Sequence, residues 1–106
     1  MEGDALRGHL ELLLLAALAR AEQHGYALIE WLRARSDGAL DLGEGSVYPA
    51  LRRLEAAGFV TSSWRTEGRR RKRVYRLTKR GEHRLRSERD GWHDLVRTVG
   101  LVLEAS

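Results

Sequence analysis

The chain has no cysteine and only one proline in 106 residues. Without thiols there is no disulfide to staple the fold and no thiolate metal centre. That composition suits a reducing compartment, and the cytoplasm is the expected location. One proline and no serine- or glycine-rich tract leave no sign of a disordered linker, and no internal repeat is visible. Long apolar runs are missing as well. The longest, Leu12 to Ala19, has eight residues, against roughly 20 for a membrane span, so no membrane partner is expected. A secretory signal would place bases first, whereas Glu2 and Asp4 stand there. What remains is one domain with a single modest core.

The net charge of +4 hides an uneven distribution. Residues 65–80 hold nine bases (Arg65, Arg69, Arg70, Arg71, Lys72, Arg73, Arg76, Lys79, Arg80) against one acid, Glu67. Residues 1–64 carry six bases and nine acids, and residues 81–106 carry four and five. A mildly acidic body thus bears one basic prong, and a prong of that kind fits a polyanion such as nucleic acid.

Periodicity supplies the elements. Leu6, Leu10, Leu13, Leu14, Ala17 and Leu18 recur at helical spacing and predict a first helix over 5–22, nearly apolar all round from Leu12 to Leu15 and so covered on more than one side. Gly25 breaks it. A second helix is predicted over 26–35 with Leu28, Ile29 and Leu32 inward, ended by a left-handed cap at Gly38. A third covers 44–57 with Val47, Leu51 and Leu54 inward. It starts either at Gly43, with Pro49 inside and a kink, or at Ser46, with Pro49 in the first turn. Gly58 stops it. Extended residues 59–64 and 73–77 flank Gly68 and form a hairpin with a loop near 67–71, its second strand turning Tyr75 and Leu77 to one face. Thr78 then caps a last helix over 79–104, in which Leu85, Trp92, Leu95 or Val96, Val99 and Val102 or Leu103 form a seam. At roughly 39 Å this helix is longer than such a domain is wide, and a second copy of the chain is the expected cover.

The fold class is therefore mainly α with a small β hairpin: a winged helix-turn-helix in the order α-α-α-β-β-α. Residues 1–78 make the DNA-binding part and 79–106 the dimerisation helix, as one structural unit. The segments HGYALIEWL (24–32), GSVYPALRRLEAAGFV (45–60) and RRRKRVYRLTKRGEHRL (69–85), followed by Trp92, resemble the PadR family of bacterial transcriptional regulators over about residues 8–95. The single short C-terminal helix resembles its smaller subfamily. The resemblance implies a homodimer on DNA, with the tyrosine before the proline, Tyr48, at the DNA face. It places Tyr26 near a backbone-contacting second helix; core packing is the alternative. It also implies a pocket for a planar or hydrophobic effector at Trp92 and Val96.

The residues themselves carry part of this. Arg69, Arg70, Arg71, Lys72 and Arg73 are five consecutive cations at a hairpin tip, suited to phosphates rather than to mere solvation beside a helix-turn-helix. Ser46 and Tyr48 offer hydroxyls near the start of the third helix; a core aromatic with its hydroxyl at the edge is the alternative for Tyr48. Arg52 and Arg53 follow a turn later, where arginine can read guanine; an acid partner is the alternative for Arg53. Leu85, Trp92, Leu95, Val96, Val99 and Val102 are the candidate dimer interface, and Trp92 is read as a packing anchor ahead of a ligand clamp. No catalytic residue, cofactor or metal site emerges. His9, His24, His83 and His93 show no metal-ligand spacing, adjacent His93 and Asp94 point apart on a helix, and GEGS lacks the lysine of a phosphate loop. The expectation is a DNA-binding regulator, most simply a repressor. The alternative is a winged-helix interaction or ligand-sensing module that does not read DNA.

Overall fold

The computed structural model describes residues 8–106. Among them the order is α1 (Leu10–Arg20), β1 (Gln23–His24), α2 (Gly25–Arg35), α3 (Glu44–Ala56), β2 (Val60–Glu67), β3 (Arg70–Leu77) and α4 (Lys79–Glu104). This is the expected winged helix with one addition. Residues 23–24, expected to follow the first helix directly, pair antiparallel with Tyr75 and Val74, so the sheet has three strands in the order β1-β3-β2. The first helix accordingly ends at Arg20, and Ala21 is extended. The expected helix start at Ala5 and the position of Leu6 lie outside the described residues.

The apolar stripes meet in one core. Leu14, Leu15, Leu28, Val47, Leu51, Leu54 and Val60 are fully buried, each burial contributing roughly 1.5–3 kcal/mol. Helix α1 touches α2, α3, α4 and β3, as its apolar circumference requires. Leu85 is also in this core, at 5% exposure. That corrects its place in the expected dimer seam. It shares the spacing of Trp92 and Val99, but the chain's own body reaches that far along α4 and covers it.

The caps explain the boundaries. Helix α3 starts at Gly43, whose carbonyl accepts from the amides of both Ser46 and Val47. Pro49 therefore lies inside the helix, and the carbonyl of Gly45 loses its helical donor. Gly45 is exposed, which leaves it open to solvent in place of that donor. At the other end the amides of Gly58 and Phe59 return to the carbonyls of Glu55 and Leu54, a Schellman closure that uses the positive φ of Gly58. Helix α2 closes in the same way, with one difference from expectation. Gly38 is left-handed as expected, at φ 84°, but Asp37, at φ 53°, is left-handed before it and takes the position next to the cap.

Thr78 caps α4 as expected, its hydroxyl accepting from the Gly81 amide at 3.0 Å. The same hydroxyl donates to the Gly58 carbonyl at 2.7 Å. One side chain thus joins the end of α3, the end of β3 and the start of α4. Beyond Trp92, which still meets His9, the long helix leaves the body; the molecule spans 58 Å in its longest direction and 29 Å in the next.

Candidate nucleic-acid interface

The hairpin is tighter than the spacing of its β-prone residues suggests. Glu67 pairs with Arg70, leaving Gly68 and Arg69 as a two-residue turn with glycine, at φ 62°, in its first central place. The expected loop over 67–71 is therefore mostly strand. Only Arg69 sits in the turn, and the pleat divides the other four cations. Arg71 and Arg73 share a face with Trp64 and Thr66, while Arg70 and Lys72 face the other way with Glu67 and Arg65.

The first of these faces looks across a cleft. His24 and Tyr26 at the start of α2, Tyr48 of α3, and Trp64 and residues 70–73 of the wing enclose about 600 Å³. His24 caps α2, its Nδ1 accepting from the Ala27 amide. Tyr26 is 56% exposed, so it lines the cleft and not the core. Tyr48 is half-buried; its ring lies over Gly25, where an added Cβ would come within 2.5 Å of it. Burial, then the neighbouring Glu44 carboxylate and Tyr75, push its phenol above the usual 10.0. It therefore remains a hydroxyl donor at neutral pH.

The four expected residues of α3 spread over its outer surface. Buried Val47, Ala50, Leu51 and Leu54 set the inner stripe. Arg52 lies opposite that stripe, Ser46 and Arg53 on one flank, and Tyr48 on the flank toward the wing. Arg53 comes within 4.0 Å of Glu11, both side chains being exposed; Glu30 pairs with Arg33 instead. No acid among the described residues pairs with Arg52, Arg69, Arg70 or Arg71. Lys72 lies 3.5 Å from Glu67.

Arg73 differs from its neighbours. Its Nε donates to Ser62 Oγ at 2.8 Å, its Nη2 lies 3.3 Å from Glu55 Oε1, and Ser62 in turn donates to Glu55 Oε2. This network, half open to solvent, fastens the wing root to α3 and engages one of the five cations. Neither Glu55 nor Ser62 stood out in the sequence, and Trp64 was equally silent. Its partners follow only from the register, which a two-residue turn at Gly68 would have fixed.

On the distal half of α4, Trp92, Leu95, Val96, Val99 and Val102 are all exposed, with Leu101 and Leu103 beside them. Trp92 meets His9 edge to face at 4.9 Å. No described helix is long and apolar enough to cross a membrane.

A model of the transcriptional regulator PadR-like family matches residues 14–87. The chain is 36% identical over 93 residues to the transcriptional regulator Rv3488 of Mycobacterium tuberculosis, covering 88% of this chain and 84% of that one. Among solved structures it is similar to a PadR family transcriptional regulator from Eggerthella lenta, with TM-score 0.83 and 36% identity over 96% of this chain and 88% of the other. A transcriptional regulator from Clostridium thermocellum superposes at TM-score 0.86 with 24% identity, covering 92% and 96% of the two chains, a likeness of fold alone.

Proposed function

The chain belongs to the transcriptional regulator PadR-like family, and from that premise we propose that it is a DNA-binding repressor acting as a homodimer on a pseudo-palindromic operator. The observation that carries the reading is the junction of α3 with the wing, where the exposed face of a helix and the cations of a hairpin border one cleft. Helix α3 enters a major groove. Arg52, farthest from the core, faces base edges, where an arginine bidentate to guanine is the commonest specific contact. Ser46, Tyr48, Arg53 and Tyr26 meet phosphates on either side. Arg69, Arg70, Arg71 and Lys72 hold the backbone or the adjacent minor groove, and Arg73 keeps the wing in place.

The exposed apolar half of α4 pairs with its copy through Trp92, Leu95, Val96, Val99 and Val102. Residues 79–106 thereby set the separation of two DNA-reading units, at about 34–36 Å for half-sites one helical turn apart. A planar or hydrophobic effector between the two copies of Trp92 and Val96 releases DNA by preferring one dimer geometry over the other. The apolar surroundings offer such a ligand contact area without a charge partner.

The test is a gel shift with duplex fragments from the promoter of the protein's own gene, titrated over salt. A shift that weakens steeply with salt and is competed poorly by random duplex is expected. A protein that shifts no promoter fragment at low salt would sink the reading in favour of an interaction module that does not read DNA.

A further inference from the structure

The wing carries one exposed aromatic residue among its cations, Trp64, and its surroundings assign it a task. Trp64 stands directly opposite Arg73 on β3 and diagonal to Arg71, yet its side chain is 56% exposed. The guanidinium carbon of Arg71 lies 4.9 Å from the indole centroid and that of Arg73 5.6 Å from it. At this range a cation is drawn to the ring's quadrupole. The two arginines are otherwise placed differently. Arg73 is tied to Glu55 and Ser62 at the wing root. Arg71 has no acid partner among the described residues, so the indole is what orients it.

That orientation matters because of where Arg71 stands. The cleft it borders is walled on the far side by Tyr26, Tyr48 and His24. It offers hydroxyls and an imidazole on one wall and a guanidinium with its fork of donors on the other. This donor set suits the non-bridging oxygens of a phosphodiester. A long arginine on an exposed strand would otherwise spread over many rotamers and lose that freedom on binding. Stacked on an indole, it is already partly ordered.

We infer that Trp64 is a positioning residue for DNA binding, holding Arg71 so that its guanidinium meets the phosphodiester backbone running between the wing and the N-terminal end of α2. The inference rests on the DNA-binding reading above and adds to it a residue that acts through another. Trp64 itself carries no charge and contributes nothing to the salt dependence except through Arg71.

The experiment measures fluorescence anisotropy of a labelled random-sequence duplex from about 50 to 300 mM salt. The proteins are the wild type, Trp64→Ala, Trp64→Phe, Arg71→Ala and the Trp64→Ala/Arg71→Ala double variant. Trp64→Ala is expected to weaken binding about threefold to tenfold and to lower the salt slope by about one, as Arg71→Ala does. Trp64→Phe, which keeps an aromatic face, recovers most of both. The double variant is no weaker than Arg71→Ala alone. Thermal melts check that each protein is folded, and Trp64→Leu, which keeps apolar bulk without the quadrupole, replaces the alanine variant if that one melts early. Unchanged affinity and slope in Trp64→Ala would overturn the inference. So would a Trp64→Ala loss that is equally large in the Arg71→Ala background, because the indole would then act on its own. A wild type that binds no duplex at low salt overturns the DNA-binding reading itself, which separates the two failures.

Discussion

Gly25 and Gly81 would each bring a new Cβ within 3 Å of a neighbour, but the neighbours differ in kind. At Gly81 the obstacle is the carbonyl oxygen of Phe59, 1.9 Å away. It is backbone, held by the Thr78 amide and by the cap of α3, and it cannot yield. Gly81→Ala is expected to destabilise the protein by about 3 kcal/mol, a loss that chemical denaturation would measure directly. At Gly25 the obstacle is the Tyr48 ring, which can swing into the cleft. Gly25→Ala should therefore cost only about 1 kcal/mol in the same measurement, while weakening operator binding more than that loss explains. Tyr48 also has a pH signature. Because its phenol is raised in the folded protein, its stabilising contribution is complete below the unfolded value near 10 and fades as pH rises through the shifted one. Regulation at neutral pH does not involve its ionisation.

At the scale of elements, the wing illustrates what a sequence can and cannot convey. Five consecutive cations were legible as a charge, but their division between two faces was not, because it depends on the register that the Gly68–Arg69 turn sets. Alternation makes each pair of neighbours a pair of opposites. Changing Arg70 and Arg71 together to alanine removes one cation from each face, and the salt slope of DNA binding should flatten by up to about 2 units. An unchanged slope in that titration would take the wing out of the interface. Strand β1 was illegible for another reason. Two residues carry no period, and their partners lie about fifty positions later. The helices were legible because their buried stripes are long, and Thr78 because a capping hydroxyl acts locally. Leu85 marks the limit of pattern reading. A seven-residue spacing tells which residues share a face of α4 and is silent about what covers them. Leu85 is covered by α1 and the sheet, whereas Trp92 and Val99 are left exposed.

For the whole molecule the unpaired half of α4 is the dominant fact. Exposed apolar side chains at Trp92, Leu95, Val96, Val99 and Val102 stand on a helix that also contains Gly91 and Gly100, each costing about 1 kcal/mol of helix propensity relative to alanine. A free helical arm of this composition gains its stability from packing. Placing a charge in the seam, as in Trp92→Glu or Val99→Glu, is expected to give a monomer in analytical ultracentrifugation and to weaken operator binding more than random-duplex binding. A dimer that persists in both variants would put the interface elsewhere.

The shared hydroxyl of Thr78 gives that arm a mechanical meaning. A rod clamped at one end is a lever, and α4, roughly 39 Å from end to end, has its clamp where α3 and the wing also terminate. Tilting it by about 5° carries its far end through about 3 Å. Run in reverse, a displacement of about 3 Å among the distal side chains, no more than the thickness of an aromatic ring, would turn each DNA-facing unit by about 5°. In a dimer paired along α4, such a push at the distal end would become a change of aim at the other, turned about the stretch from Thr78 to Leu85 that the body holds.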